Sequence, residues 1–377
     1  MFFDNASTTI IDKEIMNQLD MVNEKYFYNP GGLYENGRKS RAFLEMCRNN
    51  VYSAINASGD DDIVFTGSAT EANNLALFGL LKKNTRKILV SQGEHPSIYN
   101  VALEMKQRGY DVDFVSLTAG GCVDFEDFKN KMTDDVDIVS IMLVSNETGA
   151  INDVSNLVEY AKSINPKCIF HCDAVQGVGK IKVDVDELGV DMLTMSAHKI
   201  HGCKGVGALY IRKGVKLKPV VYGGGQENGL RSGTENLLGI FTLSEALRIA
   251  CTNLENNYNY VLELKKLFLN KLSDFNLEYV VHSLDCNSPY IVSLSFLGCR
   301  AETLLNMLSD KGVCVGNGSA CSSKKSGNRI LESMGRSKAE IESNLRISFS
   351  KYNTLDEVAL LVEKINECVS AYLDKVR

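Results

Sequence analysis

The sequence predicts an α/β protein with a large domain built on a mostly parallel seven-stranded sheet and a smaller α+β domain. Two observations predict the sheet. Short runs rich in β-branched and aliphatic residues alternate with helical stretches, which favours parallel strands flanked by helices. Most of these runs are apolar throughout, as is typical of strands buried on both faces. The runs are 62–66, 87–91, 112–117, 137–144, 168–172, 192–195 and 208–212.

The character of the sequence changes after the glycine-rich segment 222–225. We expect residues 12–250 to form the large domain, and residues 1–11 and 251–377 to form the smaller one. The elements predicted in this second part are a long helix over 238–270, helices over 302–311 and 355–375, and strands over 288–296 and 345–350.

Composition excludes several classes of protein. With 377 residues, 44% hydrophobic and 23% charged, the chain can build a sizeable core. A net charge of −6 without a long Lys/Arg run argues against nucleic acid as a partner. Apolar stretches fall short of the roughly 18 residues that span a bilayer, so no membrane partner is expected. Eleven scattered cysteines without a C-x-x-C pair, and no cation near the N-terminus, predict a cytoplasmic protein.

Polar residues follow several of the predicted strands. In an open α/β sheet, ligands bind beyond the carboxyl ends of the strands, so these residues are candidates for a site. They include His95, Asn146, Asp173, Gln176, Ser196, His198 and Lys199.

Segment 67–71, after the first strand, places two small residues and a hydroxyl at the start of a predicted helix. Backbone N–H groups and the helix dipole make such a turn an anion cradle, most naturally for phosphate. Taken alone, a plain helix N-cap is the simpler explanation. Lys199 taken alone is likewise better explained as a surface charge or as the partner of a core carboxylate.

The combination is more informative than its parts. A lysine, an acid and an anion cradle at one sheet edge are what a pyridoxal phosphate site requires: a Schiff-base amine, a partner for the ring nitrogen and a phosphate site. Lys199, Asp173 and segment 67–71, with His95 close by, supply that set.

Several motifs occur in the order found in cysteine desulfurases. The chain resembles the group I, NifS/IscS-like branch of the class V aminotransferase family, from Asp4 to Phe349. This resemblance implies the fold of the fold-type I pyridoxal-phosphate-dependent transferases and a homodimer. The segments that carry it are 68–74, 171–176, 196–202, 223–227 with 231–234, and 318–321.

The resemblance also implies roles for individual residues. Lys199 would bind the cofactor covalently and transfer the proton, Asp173 would face the ring nitrogen, and Gln176 would donate to the phenolate oxygen. His95 would stack on the ring and act in catalysis, while Asn146 and Arg346 would bind the substrate carboxylate. The implied cofactor-binding set is Ala69, Thr70, His95, Asn146, Asp173, Gln176, Ser196, His198, Lys199 and, from the second subunit, Thr234.

Cys321 lies in the small, polar, glycine-rich segment 316–327, beside two lysines. Such a setting favours a thiolate, whereas most of the other cysteines are best explained as small core residues. The resemblance implies that Cys321 takes the sulfur of L-cysteine as a persulfide, leaving L-alanine, and passes it to an acceptor protein for iron–sulfur cluster assembly or thiolation. The alternatives are a class V aminotransferase, a selenocysteine lyase and a non-catalytic sulfur-relay scaffold.

Two positions depart from the family pattern. Ala197 replaces the usual glycine before the His-Lys pair, and Cys203 replaces a proline. Cys203 raises the question of a second reactive thiol. No metal site is expected, because no zinc-ligand spacing supports one from His171, Cys172, His198 and Cys203.

Overall fold

The computed structural model describes residues 1–282, 287–317 and 328–376. Its central feature is a seven-stranded sheet with the strand order β1-β7-β6-β5-β4-β2-β3. All neighbouring strands from β3 to β6 are parallel, and β7 runs antiparallel to both β1 and β6. The predicted mostly parallel seven-stranded sheet is therefore confirmed. The strands are β1 (Asp62–Thr66), β2 (Lys87–Ser91), β3 (Asp111–Val115), β4 (Val136–Ser140), β5 (Ile169–Asp173), β6 (Met192–Ser196) and β7 (Gly207–Ile211).

Helices connect the strands and form the outer layers. Several helices begin at a residue whose side chain caps the first turn. At the start of the helix after the first strand, the Ser68 hydroxyl accepts from the Glu71 N–H at 3.1 Å. The helices are α1 (Lys13–Met16), α2 (Leu19–Tyr26), α3 (Glu35–Ala54), α4 (Ala69–Leu80), α5 (Pro96–Gln107), α6 (Phe125–Lys131), α7 (Val154–Ile164), α8 (Val185–Leu188), α9 (Leu237–Thr252), α10 (Leu254–Ser273), α11 (Ala301–Asp310), α12 (Arg329–Ser333), α13 (Lys338–Glu342) and α14 (Leu355–Val376), with 3₁₀ turns at Ala197–Lys199 and Glu227–Gly229.

The large sheet is buried on both faces. Alternate residues of one strand enter opposite cores: Leu89 packs in the core that contains α3, α7 and α9, whereas Ile88 and Val90 pack in the core that contains α4 and α5. This arrangement explains why the strands read as continuous apolar runs rather than as alternating patterns.

Two predicted elements differ most from the structure, and the strand predicted over 288–296 also begins later, at Ile291. The strand predicted over 137–144 ends at Ser140, although residues 141–144 stay buried and apolar. Their backbone leaves the regular ladder, with the Leu143 N–H donating to the Asp173 carbonyl at 2.9 Å. An apolar run indicates buried residues, and here the buried residues continue beyond the hydrogen-bonded part of the strand.

The helix predicted over 238–270 is two helices, α9 and α10, bent by 76° at Asn253. The two helices belong to different cores: α9 packs in the core that contains α3 and α7, and α10 packs in a separate core with α11 and α14. Among the described residues, no single helix is long and apolar enough to cross a membrane; α9 and α10 meet the length and composition test only when joined.

A second, antiparallel sheet has the order β10-β9-β8. Its strands are β8 (Tyr279–Val281), β9 (Ile291–Phe296) and β10 (Asn344–Ser348), and its core includes side chains of α10, α11 and α14. Phe3 and Ala6 also pack there, while Asp4 pairs with Ser348 of β10. This packing supports the proposed division into residues 12–250 and a smaller domain, which stays a prediction.

Gly207 begins β7 between Thr66 of β1 and Ser196 of β6. A Cβ atom at this position would lie 2.7 Å from the backbone carbon of Ser68 and 2.8 Å from the nitrogen of Ala69. Glycine is therefore required for the close approach of β7 to the first turn of α4.

We expect Gly207→Ala to lower the free energy of unfolding by about 1–3 kcal/mol, because backbone atoms must move apart. Urea denaturation measures this change. The control is Gly59→Ala, where no atom lies within 4 Å of an added Cβ; its effect should stay within about 0.5 kcal/mol. Equal stabilities of the two variants would contradict the proposed close approach.

Candidate active site

A cleft of about 630 Å³ opens at the carboxyl ends of the parallel strands. The first turn of α4, the N-terminal segment and β10 complete its walls. Every predicted site residue that the structure describes, except Thr234, lines the cleft. Those brought together are Ala69, Thr70, His95, Asn146, Asp173, Gln176, Ser196, His198, Lys199 and Arg346.

The structure places Thr234 away from the cleft and does not describe Cys321. Thr234 is exposed and lines a separate cavity of about 290 Å³ with Phe27 and Tyr28 of the same chain. Cys321 lies outside the described residues, so its position relative to the cleft stays a prediction.

Lys199 follows β6 in a short 3₁₀ turn and reaches back to the N-terminal segment. Its Nζ donates to the carbonyls of Ala6 at 2.8 Å and Ser7 at 2.6 Å. Burial and the positive charge of Arg346 lower the pKa of the Lys199 amine to about 8. Nearby carboxylates oppose this shift; they belong to Asp4, Asp173 and Glu147.

Asp173 ends β5 and is 4% exposed. Its Oδ1 accepts from the Val175 N–H at 3.0 Å, and its Oδ2 accepts from Asn73 Nδ2 at 2.8 Å. Asn73 is fully buried in α4 and also donates to Ser97 Oγ at 2.8 Å. Two donors thus orient the carboxylate. We did not predict a role for Asn73, although it lies within the motif at 68–74.

His95 caps α5, with its Nδ1 3.2 Å from the Ser97 N–H and 2.8 Å from the Ser97 hydroxyl. The Ser97 hydroxyl also accepts from Asn73. His95 and Asp173 are therefore positioned by one network, which fixes the imidazole orientation at the mouth of the cleft.

The first turn of α4 lines the cleft together with Ser196 and His198. Burial lowers the pKa of His198 to about 4, and the charge of Lys199 acts in the same direction. The imidazole is therefore neutral at pH 7. Its Nδ1 lies 3.1 Å from the Thr8 hydroxyl, which orients the ring.

Arg346 enters the cleft from β10 and is 6% exposed. Its guanidinium donates to Asp4 Oδ1 at 2.9 Å and to Ser7 Oγ at 2.7 Å. It also donates to the Asn146 carbonyl at 2.9 Å and lies 3.4 Å from Glu147 Oε1. We did not predict a role for Asp4 or Glu147. Both are far from Arg346 in sequence, so no local pattern indicates that they pair with it.

Cys203 does not line the cleft. Its sulfur accepts from the Thr242 hydroxyl at 3.0 Å on the side of α9. Among the described residues, no group of three or more His, Cys, Asp or Glu side chains could hold a metal ion.

Comparison with known proteins decides the family. The aminotransferase class-V family model matches residues 1–361. The chain belongs to this family. Cysteine desulfurase IscS 1 of Archaeoglobus fulgidus is 35% identical over 96% of this chain and 95% of its own length.

Solved structures agree with this membership. A NifS-like protein superposes with a TM-score of 0.93 at 32% identity, covering 98% of this chain and 99% of its own. SspA, solved in complex with cysteine, superposes with a TM-score of 0.82 at 26% identity, covering 94% and 99% of the two chains. The fold expected for this family is therefore confirmed.

We expect the Lys199 amine of the cofactor-free protein to react with acetic anhydride increasingly as pH rises through about 8, and to level off above it. Because its pKa is lowered, the neutral, reactive amine is already the major form at a pH about two units below the ordinary pKa of lysine. Competitive labelling followed by peptide mass spectrometry measures this titration. A lysine peptide serves as internal standard, and Lys199→Arg assigns the labelled fragment. A midpoint equal to that of the standard would contradict the buried environment.

Proposed function

We propose that this protein is a pyridoxal-phosphate-dependent cysteine desulfurase, which converts L-cysteine to L-alanine and transfers the sulfur to an acceptor. The observation that carries the proposal is the meeting of Lys199, Asp173 and Arg346 in one cleft. Full-length relatives that bear the name cysteine desulfurase support it, and so does the neighbour solved with cysteine.

The residues present fit pyridoxal phosphate. Gly207 keeps the first turn of α4 free of a Cβ that would collide with its backbone, and this turn supplies N–H groups for a phosphate. Asp173 offers a fixed carboxylate and Lys199 an amine of lowered pKa. When bound, this cofactor supplies an electron sink for the negative charge that develops on the substrate Cα.

The chain's own side chains would bind and orient the substrate. Arg346 can hold the substrate carboxylate with its guanidinium, which Asp4 and Ser7 already orient. Lys199 can accept and return a proton at Cα, because an amine with a pKa of about 8 exists in both forms near neutral pH. His95 would cover the ring from the mouth of the cleft.

The sulfur step requires a nucleophile, and we assign it to Cys321. Its thiolate attacks the substrate sulfur, the substrate C–S bond breaks with its electron pair going to carbon, and protonation of that carbon leads to alanine. The enzyme then carries a persulfide. We propose that this sulfur passes to an acceptor protein for iron–sulfur cluster assembly or thiolation, and that the protein works in the cytoplasm.

We propose that the enzyme is a homodimer in which Thr234 completes the partner's phosphate site. Phe27 and Tyr34 are 66% and 53% exposed, and both rings pack on Tyr28. Leu33, 90% exposed, precedes Tyr34. Phe27 and Thr234 line the same cavity. These exposed apolar side chains lie beside Thr234, which does not line the cleft of its own chain. Such a patch favours a second copy of the chain as the partner that covers it.

We expect Cys321→Ser to lower alanine release by orders of magnitude while cofactor binding survives, because serine cannot take sulfur from sulfur. The assay is alanine and sulfide release from cysteine, without any α-keto acid. The matched control is Cys203→Ser, which should keep alanine release near the wild-type rate. Near-normal release by Cys321→Ser would contradict the nucleophile assignment, and alanine release that depended on an added keto acid would instead indicate an aminotransferase.

Hybrid dimers test the shared site. We expect mixed Lys199→Ala and Thr234→Ala subunits to form hybrids with one site that lacks both groups and one intact site. When equal amounts reassort at random, about half of the dimers are hybrids with one intact site of two. Activity should therefore recover toward about a quarter of the wild-type value, whereas each parent dimer stays impaired. An active monomer in sedimentation experiments would refute the dimer, and a mixture no more active than its parents would refute the shared site.

A further inference from the structure

Lys180 is a buried lysine for which the proposed reaction has no role. It follows Gly179, whose φ of +73° turns the chain behind the cleft, and it is only 7% exposed. It lines a small cavity of about 30 Å³ behind Lys199 rather than the cleft itself. Its Nζ donates to Gln176 Oε1 at 2.7 Å and lies 5.7 Å from the centre of the Tyr290 ring.

Burying this amine is costly. A buried lysine is normally paired with a carboxylate, yet Lys180 forms no salt bridge with the described residues. Burial lowers its pKa to about 7, and the charges of Lys199 and Arg346 act in the same direction. A methionine would fill the same space without the desolvation cost, so packing alone does not explain the lysine.

The partner of Lys180 indicates what the amine does. Gln176 is 4% exposed and lines the cleft. Its Nε2 donates to the Ala6 carbonyl at 2.9 Å, and that carbonyl also accepts from Lys199 at 2.8 Å. The Lys180 hydrogen bond holds the amide oxygen away from the cleft, so the second Nε2 hydrogen remains for a ligand.

We propose that Lys180 is a positioning residue that locks the Gln176 amide with its NH₂ group available to an anionic oxygen in the cleft. This inference rests on the proposed function, in which that oxygen belongs to the ring of pyridoxal phosphate. Without Lys180 the amide can rotate and present its own oxygen, which repels an anion. Lys180 thus acts on cofactor affinity through Gln176 and without touching the cofactor.

The experiment measures the dissociation constant for pyridoxal phosphate after the cofactor is removed from the holoprotein and titrated back. Lys180→Met should weaken binding about tenfold, the size expected for one lost hydrogen bond. Lys180→Arg keeps a donor and should restore most of the affinity. Lys180→Gln can present either its amide NH₂ or its amide oxygen to Gln176, so it should lose an intermediate amount of cofactor affinity. It replaces Lys180→Met in the experiment if the methionine variant does not fold.

A matched control separates positioning from stability. Lys265 is also buried, with its pKa lowered to about 8, and donates to Asn287 Oδ1 at 2.7 Å away from the cleft. Lys265→Met should change thermal unfolding but leave cofactor affinity unchanged. The same affinity loss in Lys265→Met would show that the Lys180 effect reports general destabilisation.

A double-mutant cycle decides whether Lys180 acts through Gln176. Gln176→Leu removes the amide, and in that background Lys180→Met should cause no further loss of affinity. An undiminished loss, or wild-type affinity in folded Lys180→Met, would overturn the proposal. Failure of the proposed function is distinguishable: a protein without the proposed cofactor site would not bind pyridoxal phosphate in its wild-type form, and a protein that lacked only the sulfur step would keep these affinities but release no alanine from cysteine.

Discussion

The cleft depends on the position of the N-terminal segment, whose Ala6 and Ser7 carbonyls accept from the Lys199 amine. This contact joins the strand end of the large sheet to a segment whose neighbouring side chain, Phe3, is anchored in the second core. Arg346 is tied to the same segment through Asp4. Side chains that stand on the large sheet and on β10 therefore meet in one site, and the relative placement of amine and guanidinium follows from how the N-terminal segment packs.

A network of buried hydrogen bonds orients several side chains that line the cleft. Asn73 donates to Asp173 and to Ser97, and the Ser97 hydroxyl contacts His95. Lys180 donates to Gln176. These contacts come from residues that never need to touch a ligand. Such networks stabilise a single geometry only when their members are paired, because the low dielectric of the interior makes an unpaired group costly. Rigid orientation of this kind is what charge stabilisation in a catalytic site requires.

Burial also divides the cysteines into two chemical groups. Desolvation raises the pKa of Cys47 and Cys168 to about 12, and that of Cys172 well above its ordinary value. These thiols stay protonated and serve as small core residues. The interpretation of most cysteines as core residues agrees only in part: of the nine described cysteines five are buried, whereas Cys122, Cys203 and Cys251 are half-buried and Cys314 is exposed. A thiolate nucleophile is thus to be sought outside the core, and the polar composition of segment 316–327 predicts such a setting for Cys321.

The sequence alone determined the class of fold and identified ten of the residues that line the cleft. Runs buried on both faces are apolar throughout, and polar residues such as Asp173 and Lys199 stand at strand ends, so both signals are local along the chain. Tertiary structure alone decided the break at Asn253, the end of β4 and the partners Asn73, Lys180, Asp4 and Glu147. Most of these contacts join residues far apart in sequence; Asn73 and Asp173 are 100 positions apart. Which buried donor meets which acceptor depends on the packing of whole layers, and no local pattern records it.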